Sequence, residues 1–395
     1  MSVLFAPGNI GNLVLPNRLV RSATAERLAD ADGWPQPRLK QLYQELVRGG
    51  VGLIITGDMY VHPSGCSRPE MTGIYSDEMI PVLAELADAV HREGGRVVAQ
   101  ISHGGMHCTR QTVPATIAPS AMDVPFLEQP AREMTSDEIT LLIQAYGQAA
   151  WRAQEAGFDG VQFHGAHGYL ISQFLSPFAN RRADEWGGDL ERRMRFLRAI
   201  CQAARERVGP DYPVFIKLGM VDGVEGGLTL EEAVQVVAAL EEMGLNAVEI
   251  SSGIDGGRDL NSLTGIRCEA DEAHFRVDLT RLPIPRYRGL RCEAGEAYFR
   301  PLAQAARPVT RLPIILGGGM RSRRVMEDVL AAGDADFVSL CRPLICEPDL
   351  PNRLRSGLQE RSACISANRC VPKGPDEGIS CKCPIERDHP GEPTT

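Results

Sequence analysis

The sequence predicts a closed α/β barrel of the (β/α)8 or TIM type, and three observations lead to it. Strand-like and helix-like segments alternate eight times along the 395 residues. The strand-like segments are continuous apolar runs of the kind buried on both faces, not the alternating pattern of a sheet that meets water on one side. Glycines, histidines and a lysine collect where strands stop, the end at which such a barrel does its chemistry. A short N-terminal hairpin precedes the barrel and a cysteine-containing extension follows it.

The elements follow in order. Turn residues Pro7-Gly8-Asn9 and Gly11-Asn12 between apolar pieces predict a hairpin within residues 3–16. Leu19 to Thr24 reads as the first strand, and Pro37 to Arg48 carries apolar Leu39, Leu42, Tyr43 and Leu46 at helical spacing before Gly49-Gly50 stops it. Val51 to Thr56 is a second strand, Asp77 to Arg92 a helix, and Arg96 to Ser102 a third strand. Thr135-Ser136-Asp137-Glu138 is a capping box opening a helix that reaches Ala156. Phe158 to Phe163 is strand four, Asp189 to about Val208 a helix, and Val214 to Leu218 strand five. Thr229-Leu230-Glu231-Glu232 reads as a second capping box ahead of helix five. Val248 to Ile250 is strand six, Pro313 to Leu316 strand seven, Arg323 to Ala332 helix seven, and Phe337 to Leu340 strand eight.

One segment breaks the spacing. Arg267-Cys268-Glu269-Ala270, Glu272-Ala273 and Phe275-Arg276 recur as Arg291-Cys292-Glu293-Ala294, Glu296-Ala297 and Phe299-Arg300. A tandem duplication places an insertion at about 266–290. The second copy is assigned to helix six, and the first to an excursion over the barrel mouth or a bland surface insertion. The barrel is expected over 1–360 and a tail over 361–395.

The formal net charge of −9 argues against nucleic acid or an anionic membrane as partner, and no run is long and apolar enough to span a bilayer. Met1 to Pro7 lacks the basic start and apolar core of a signal peptide, and 11 scattered cysteines read as reduced thiols, so a cytoplasmic protein is expected. A small-molecule substrate is the expected partner, and a homo-oligomer is compatible with all of this.

His164, His167 and Tyr169 emerge together after strand four. Two imidazoles three residues apart converge on one oxygen if the backbone between them curls, and Tyr169 is then placed to donate a proton. Packed histidines or metal ligands are the alternative reading. Gly317-Gly318-Gly319-Met320 after strand seven lets backbone amides approach an anion, and Cys341-Arg342 after strand eight brings further amides and a guanidinium. Glycines also make plain tight turns; the pairing with Arg342 favours the anion site. Lys217, ending an apolar strand, adds a cation inside the mouth rather than on the surface.

On these blocks the chain resembles the Old Yellow Enzyme family of FMN-dependent ene-reductases, in its bacterial NADH:flavin oxidoreductase branch. The resemblance covers nearly all of residues 1–360. Besides the His-Tyr and glycine segments it rests on Leu15-Pro16-Asn17-Arg18, Arg21-Ser22-Ala23-Thr24, Gln100-Ile101-Ser102-His103-Gly104-Gly105 and Ser176-Pro177-Phe178-Ala179-Asn180-Arg181-Arg182. It implies FMN held across the strand ends and reduced by NADH or NADPH, with an electron-poor alkene then reduced in the same pocket. Gln100 would meet the flavin pyrimidine and Lys217 its N1 and O2. Gly318, Gly319 and Cys341 amides with Arg342 would hold the phosphate, and Ala23, Thr24, Ala25, Gly57, His164 and Met320 complete the implied cofactor set. His164 and His167 would hold the substrate carbonyl while hydride leaves flavin N5, and Tyr169 would protonate the α-carbon. Oxidative demethylation, double-bond isomerisation and low-turnover flavin binding are the alternatives within the fold. A metal-dependent hydrolase using the two histidines ranks last, for want of a nearby carboxylate triad.

There are departures. Ala25 or Thr24 stands where relatives carry a flavin-tuning Thr or Cys, and Met106 where they commonly have Arg. Cys364, Cys370, Cys381 and Cys383 lie where two-domain relatives bind [4Fe–4S], yet Ala367 interrupts the pattern. A metal-free tail is expected.

Overall fold

The computed structural model describes residues 2–125, 127–254, 268–271, 274–277, 295–364, 370 and 378–381. Eight parallel strands form its centre: β1 (Leu19–Arg21), β2 (Leu53–Ile55), β3 (Val97–Ser102), β4 (Gly160–Gly165), β5 (Val214–Gly219), β6 (Ala247–Ser251), β7 (Ile314–Leu316) and β8 (Phe337–Leu340). Neighbours pair in chain order, and the ring closes where Leu340 of β8 lies opposite Arg21 of β1. Closure leaves no strand edge among these eight.

The helices are α1 (Pro37–Arg48), α2 (Ile80–Arg92), α3 (Ser136–Glu155), α4 (Leu170–Leu175), α5 (Leu190–Val208), α6 (Leu230–Ala239), α7 (Arg300–Ala306), α8 (Arg323–Ala331), α9 (Arg342–Cys346) and α10 (Leu350–Ser356). None of the described helices is long and apolar enough to cross a membrane. Pro37 starts α1 with its fixed φ, and Leu39, Tyr43 and Leu46 then fall on one buried stripe. The box ahead of α3 closes both ways, with Glu138 N donating to Thr135 Oγ1 at 3.2 Å and Thr135 N to Glu138 Oε2 at 2.9 Å. The box ahead of α6 closes only one way. Glu232 N donates to Thr229 Oγ1 at 3.3 Å, but the Glu232 carboxylate turns to Arg193 at 2.5 Å instead. Position decides this, since Glu138 of α3 holds Arg132 and its own cap amide together.

Two apolar layers hold the barrel. Most of the helices pack outside, while Val20, Leu53, Ile55, Val98, Phe215 and Phe337 fill the inside. The predicted hairpin is present, Gly8–Ile10 against Leu13–Leu15, and its Ile10, Leu13 and Leu15 join that inner cluster. Phe215, Val98 and Phe337 open their strands, so the hairpin plugs the N-terminal end. The opposite end is left for the site.

Three expectations are corrected. Asp77–Met79 is a separate 3-10 turn before α2. Of the second copy of the duplication, residues 295–299 precede the helix, for α7 begins only at Arg300 with Phe299 as its N-cap, and residues 291–294 lie outside the described residues. The short α4 was not foreseen: all six of its residues are buried, so it has no amphipathic period to read. The first copy forms two antiparallel strands, Cys268–Asp271 with His274–Val277; its expected place over the mouth lies outside the described residues.

Candidate functional site

A cavity of about 740 Å³ opens at the C-terminal ends of the strands, and Ala23, Thr24, Ala25, His167, Lys217, Gly318, Gly319, Met320, Cys341 and Arg342 all line it. Its floor is a charged network. Lys217 of β5 and Glu249 of β6 are cross-strand partners and meet at 3.0 Å, both nearly sealed from water. Glu249 Oε1 also accepts from Ser22 Oγ at 2.6 Å and Ser339 Oγ at 2.9 Å, and its Oε2 from Gln162 Nε2 at 2.9 Å. Burial pushes the Glu249 carboxyl up, but Lys217, Ser22 and Gln162 together hold it below the usual carboxylate range. Lys217 Nζ donates to Ser22 Oγ at 2.7 Å. Gln100 sits one step behind, its Nε2 donating to Gln162 Oε1 at 2.6 Å, and it does not line the cavity.

At one end backbone supplies the chemistry. Gly318 and Gly319 have φ of 95° and 74°, the left-handed region that only glycine enters freely. A Cβ on Gly319 would drive into the Gly295 carbonyl, and one on Gly318 would stand 3.0 Å from Tyr298 and Phe299. Arg342 begins α9 directly after Cys341, so a second set of amides faces the same space. The start of α8 is not open, however. Arg321 N and Ser322 N donate to Glu296 Oε2 at 3.0 and 2.7 Å, so this buried carboxylate already takes the helix end that the glycine run was expected to lend an anion. Anion donors remain on Gly317 to Met320 and on Cys341-Arg342.

At the other end side chains supply it: His167 and Arg68 line the cavity, while His164 and Tyr169 pack behind them and do not line it. Strand β4 runs on through His164 and Gly165, two residues further than the sequence suggested. The chain then curls with φ of 58° at His167 and 70° at Gly168, which brings the His164 and His167 rings to 5.0 Å and Tyr169 edge-on to His164 at 4.4 Å. The curl is pinned by α4: Leu170 N donates to His103 O at 2.9 Å, and Gln173 Nε2 to Gly168 O at 2.5 Å. Burial first, then neighbouring Lys217, lowers His167 to about 3; burial and His167 lower His164 well below its ordinary value. Both imidazoles are therefore neutral near pH 7. Ala166 N donates to His164 Nδ1 at 3.3 Å, so its proton sits on Nε2, and His167 Nε2 meets Ser251 Oγ at 2.7 Å. Burial raises the Tyr169 phenol, while Arg68, whose Nη1 donates to its oxygen at 3.2 Å, pulls it back.

Four residues of the candidate site escaped the sequence reading: Glu249, Ser22, Arg68 and Asp58, which pairs with Arg68. Only Glu249 carried a signal, a carboxylate in the middle of the apolar strand Val248-Glu249-Ile250. Gly57 and Ala25 do different work from one another. Ala25 lines the cavity, whereas Gly57 lies under β1, its N donating to Glu26 Oε1 at 3.0 Å in a space where a Cβ would meet Glu26. Thr24, not Ala25, offers the hydroxyl, which contacts Cys341 Sγ at 3.1 Å. Met106 packs with Met122, Ala179 and Ile254, so apolar contact stands where an arginine was expected. Among the tail cysteines, Cys370 lines the cavity, Cys364 is buried, and Cys381 meets Cys346, a residue outside the expected set; Cys383 lies outside the described residues.

Comparison with known proteins gives the chain's family and supports its fold. The chain is 37% identical over 391 residues to an NADH oxidase of Thermoanaerobacter brockii, covering 97% of itself but 55% of that protein, so it spans about half that relative's length. It is 34% identical over 376 residues to an NADPH dehydrogenase of Geobacillus sp. (strain WCH70), covering 94% of itself and 98% of that enzyme. The solved structure of an old yellow enzyme homologue from Zymomonas mobilis superposes with a TM-score of 0.75 at 26% identity, covering 92% of this chain and 95% of that one. The model of one family matches residues 3–255, which include β1 to β6, the Lys217–Glu249 floor and the His-Tyr curl. The chain belongs to the NADH:flavin oxidoreductase / NADH oxidase family.

Proposed function

We propose that the chain is an FMN-dependent, NAD(P)H-consuming oxidoreductase that reduces activated carbon–carbon double bonds. The observation that carries this reading is a cavity with a glycine bend at one end and His167 and Arg68 on its other wall, with a neutral His164 and the Tyr169 phenol packed directly behind them. The residues present fit FMN: about 740 Å³ lies within the roughly 300–1,000 Å³ of cofactor sites, and the Gly318-Gly319 bend presents bare backbone to it. Gly318, Gly319 and Cys341 amides with Arg342 would hold its phosphate; Ala23, Thr24, Ala25 and Met320 would line it. Lys217 would meet the negative charge of the reduced ring. When bound, FMN supplies a two-electron carrier that takes hydride from a nicotinamide and passes it to an alkene.

The protein's own groups do the rest. His164 donates from Nε2, and His167 from the ring nitrogen that Ser251 leaves, to the carbonyl oxygen of an enone or enal. Neutral donors suit this task because the oxygen gains charge only as the reaction proceeds. Tyr169 gives its phenolic proton to the α-carbon, and the Arg68 guanidinium at 3.2 Å then stabilises the phenolate left behind. His164 is buried and His167 and Tyr169 are half-buried, which limits competing water.

Replacing Tyr169 with Phe tests the proton step. Rapid mixing is expected to show flavin reduction by NADH or NADPH nearly unchanged and reoxidation by 2-cyclohexenone slowed on the order of 10²–10⁴-fold. Equal rates in both half-reactions would remove Tyr169 from the mechanism. A purified protein that neither carries nor takes up FMN would overturn the whole reading.

A further inference from the structure

Cys346 closes α9, directly behind the Cys341-Arg342 turn, and two separate pieces of the tail are brought to it. Glu347, the next residue, accepts from Ser362 Oγ at 2.5 Å and Ala363 N at 2.7 Å, which fastens the first piece and places Cys364 in hydrogen-bond contact with the Cys346 thiol. Ile379 N donates to Glu26 O at 2.9 Å, which fastens the second. Cys381 follows two residues later, with its Sγ 2.7 Å from that of Cys346. Both cysteines are reduced in the structure; Cys346 is buried and Cys381 half-buried.

A shared metal ion does not account for this contact. Thiolates about 2.3 Å from a tetrahedral zinc stand roughly 3.7 Å apart, which is wider than the pair observed. No group of three or more metal-ligating side chains is found among the described residues. Two sulfurs in direct contact, held by independent backbone anchors 35 residues apart in sequence, are instead placed for a covalent bond.

We infer that Cys346 and Cys381 form a reversible disulfide that ties the tail to the phosphate end of the barrel under peroxide. Hydrogen peroxide oxidises the more accessible Cys381 thiol to a sulfenic acid and leaves as water. Cys346 sulfur then attacks that sulfur, its proton departs, and a second water is released. Two thiols and one peroxide thus become one disulfide and two waters, and a dithiol reverses the change. Cys346 is buried and Cys381 half-buried, so Cys381 is the first to meet peroxide. Ile379 and Cys370 line the cavity, so the bond would fasten one wall of it.

The test uses the full-length protein as purified. It is treated with hydrogen peroxide, denatured in N-ethylmaleimide, digested and weighed. The expected product is a peptide pair joining Cys346 to Cys381, lighter by two hydrogens than its halves and separated by dithiothreitol. It should vanish in Cys381→Ser and persist in Cys201→Ser, a buried thiol of α5 used as control. Three results would overturn the inference. In one, both thiols still carry the label although a methionine peptide added to the same mixture has been oxidised. In another, Cys346 is linked to Cys364 or Cys370. In the third, a stoichiometric metal shields both thiols until a chelator removes it.

Discussion

The two ends of the cavity are built from opposite materials. The anion end is backbone: Gly318 and Gly319 in left-handed conformations, the amides after β7 and β8, and a helix start already satisfied by Glu296. The donor end is side chain: His167 and Arg68 line it, and His164 and Tyr169 pack behind them, the His164 ring 4.4 Å from Tyr169 and 5.0 Å from His167. Backbone sites depend on what a residue lacks, and side-chain sites on what it carries. Substitutions should therefore act differently at the two ends, with the buried Lys217–Glu249 floor failing in a third way.

The largest effect is expected at that floor. Glu249→Leu leaves Lys217 buried without its partner, which costs about 3–5 kcal/mol. Urea unfolding should show this as a lower midpoint at unchanged slope, and Glu249→Gln, which keeps hydrogen bonds to Ser22 and Gln162, should lose less. Similar stability for the two would mean that shape, not charge, sets the floor. Next comes Gly319→Ala, where strain of about 1–3 kcal/mol at positive φ is added to a collision with the Gly295 carbonyl. FMN should be held about 10²-fold more weakly by fluorescence titration, with the imidazole end untouched. Normal affinity would show that the anion end is not specified by backbone.

Acid should act on the donor end. His167 falls from an ordinary 6.5 to about 3, and His103 likewise, because burial disfavours the charged rings. The unfolded chain then binds more protons between these values, so the stability each contributes is full above pH 6.5. It declines as pH falls, by about 1.4 kcal/mol per unit per group. Melting temperatures followed from pH 7 to 4 should drop, and less steeply in His167→Asn; parallel curves would contradict the burial of that ring. The smallest change belongs to Arg68→Lys. It keeps the charge beside Asp58 but loses one hydrogen bond to Tyr169, of about 0.5–1.5 kcal/mol, or roughly 2–12-fold in alkene turnover. Flavin reduction should not respond; if it does, Arg68 acts on the cavity as a whole.

Much of this was legible in the residue order. Eight apolar strands and their intervening helices are local patterns, and so are the full capping box at Thr135 and the glycine run that demands positive φ. His164, His167 and Tyr169 could be picked out because they leave one strand together. Strand ends moved by a residue or two because pairing with neighbours, not composition, sets where a ladder stops. Helix α4 was hidden because a fully buried turn shows no period.

What only the tertiary structure decided concerns pairs far apart in sequence. Glu249 finds Lys217, Ser22 and Gln162 through barrel closure; Glu296 takes the start of α8; Glu232 prefers Arg193 to its own cap; Cys346 meets Cys381. A sequence determines the local conformations a segment favours. Which polar partners a charge takes depends on what the folded chain brings within about 3 Å, which the local sequence does not contain.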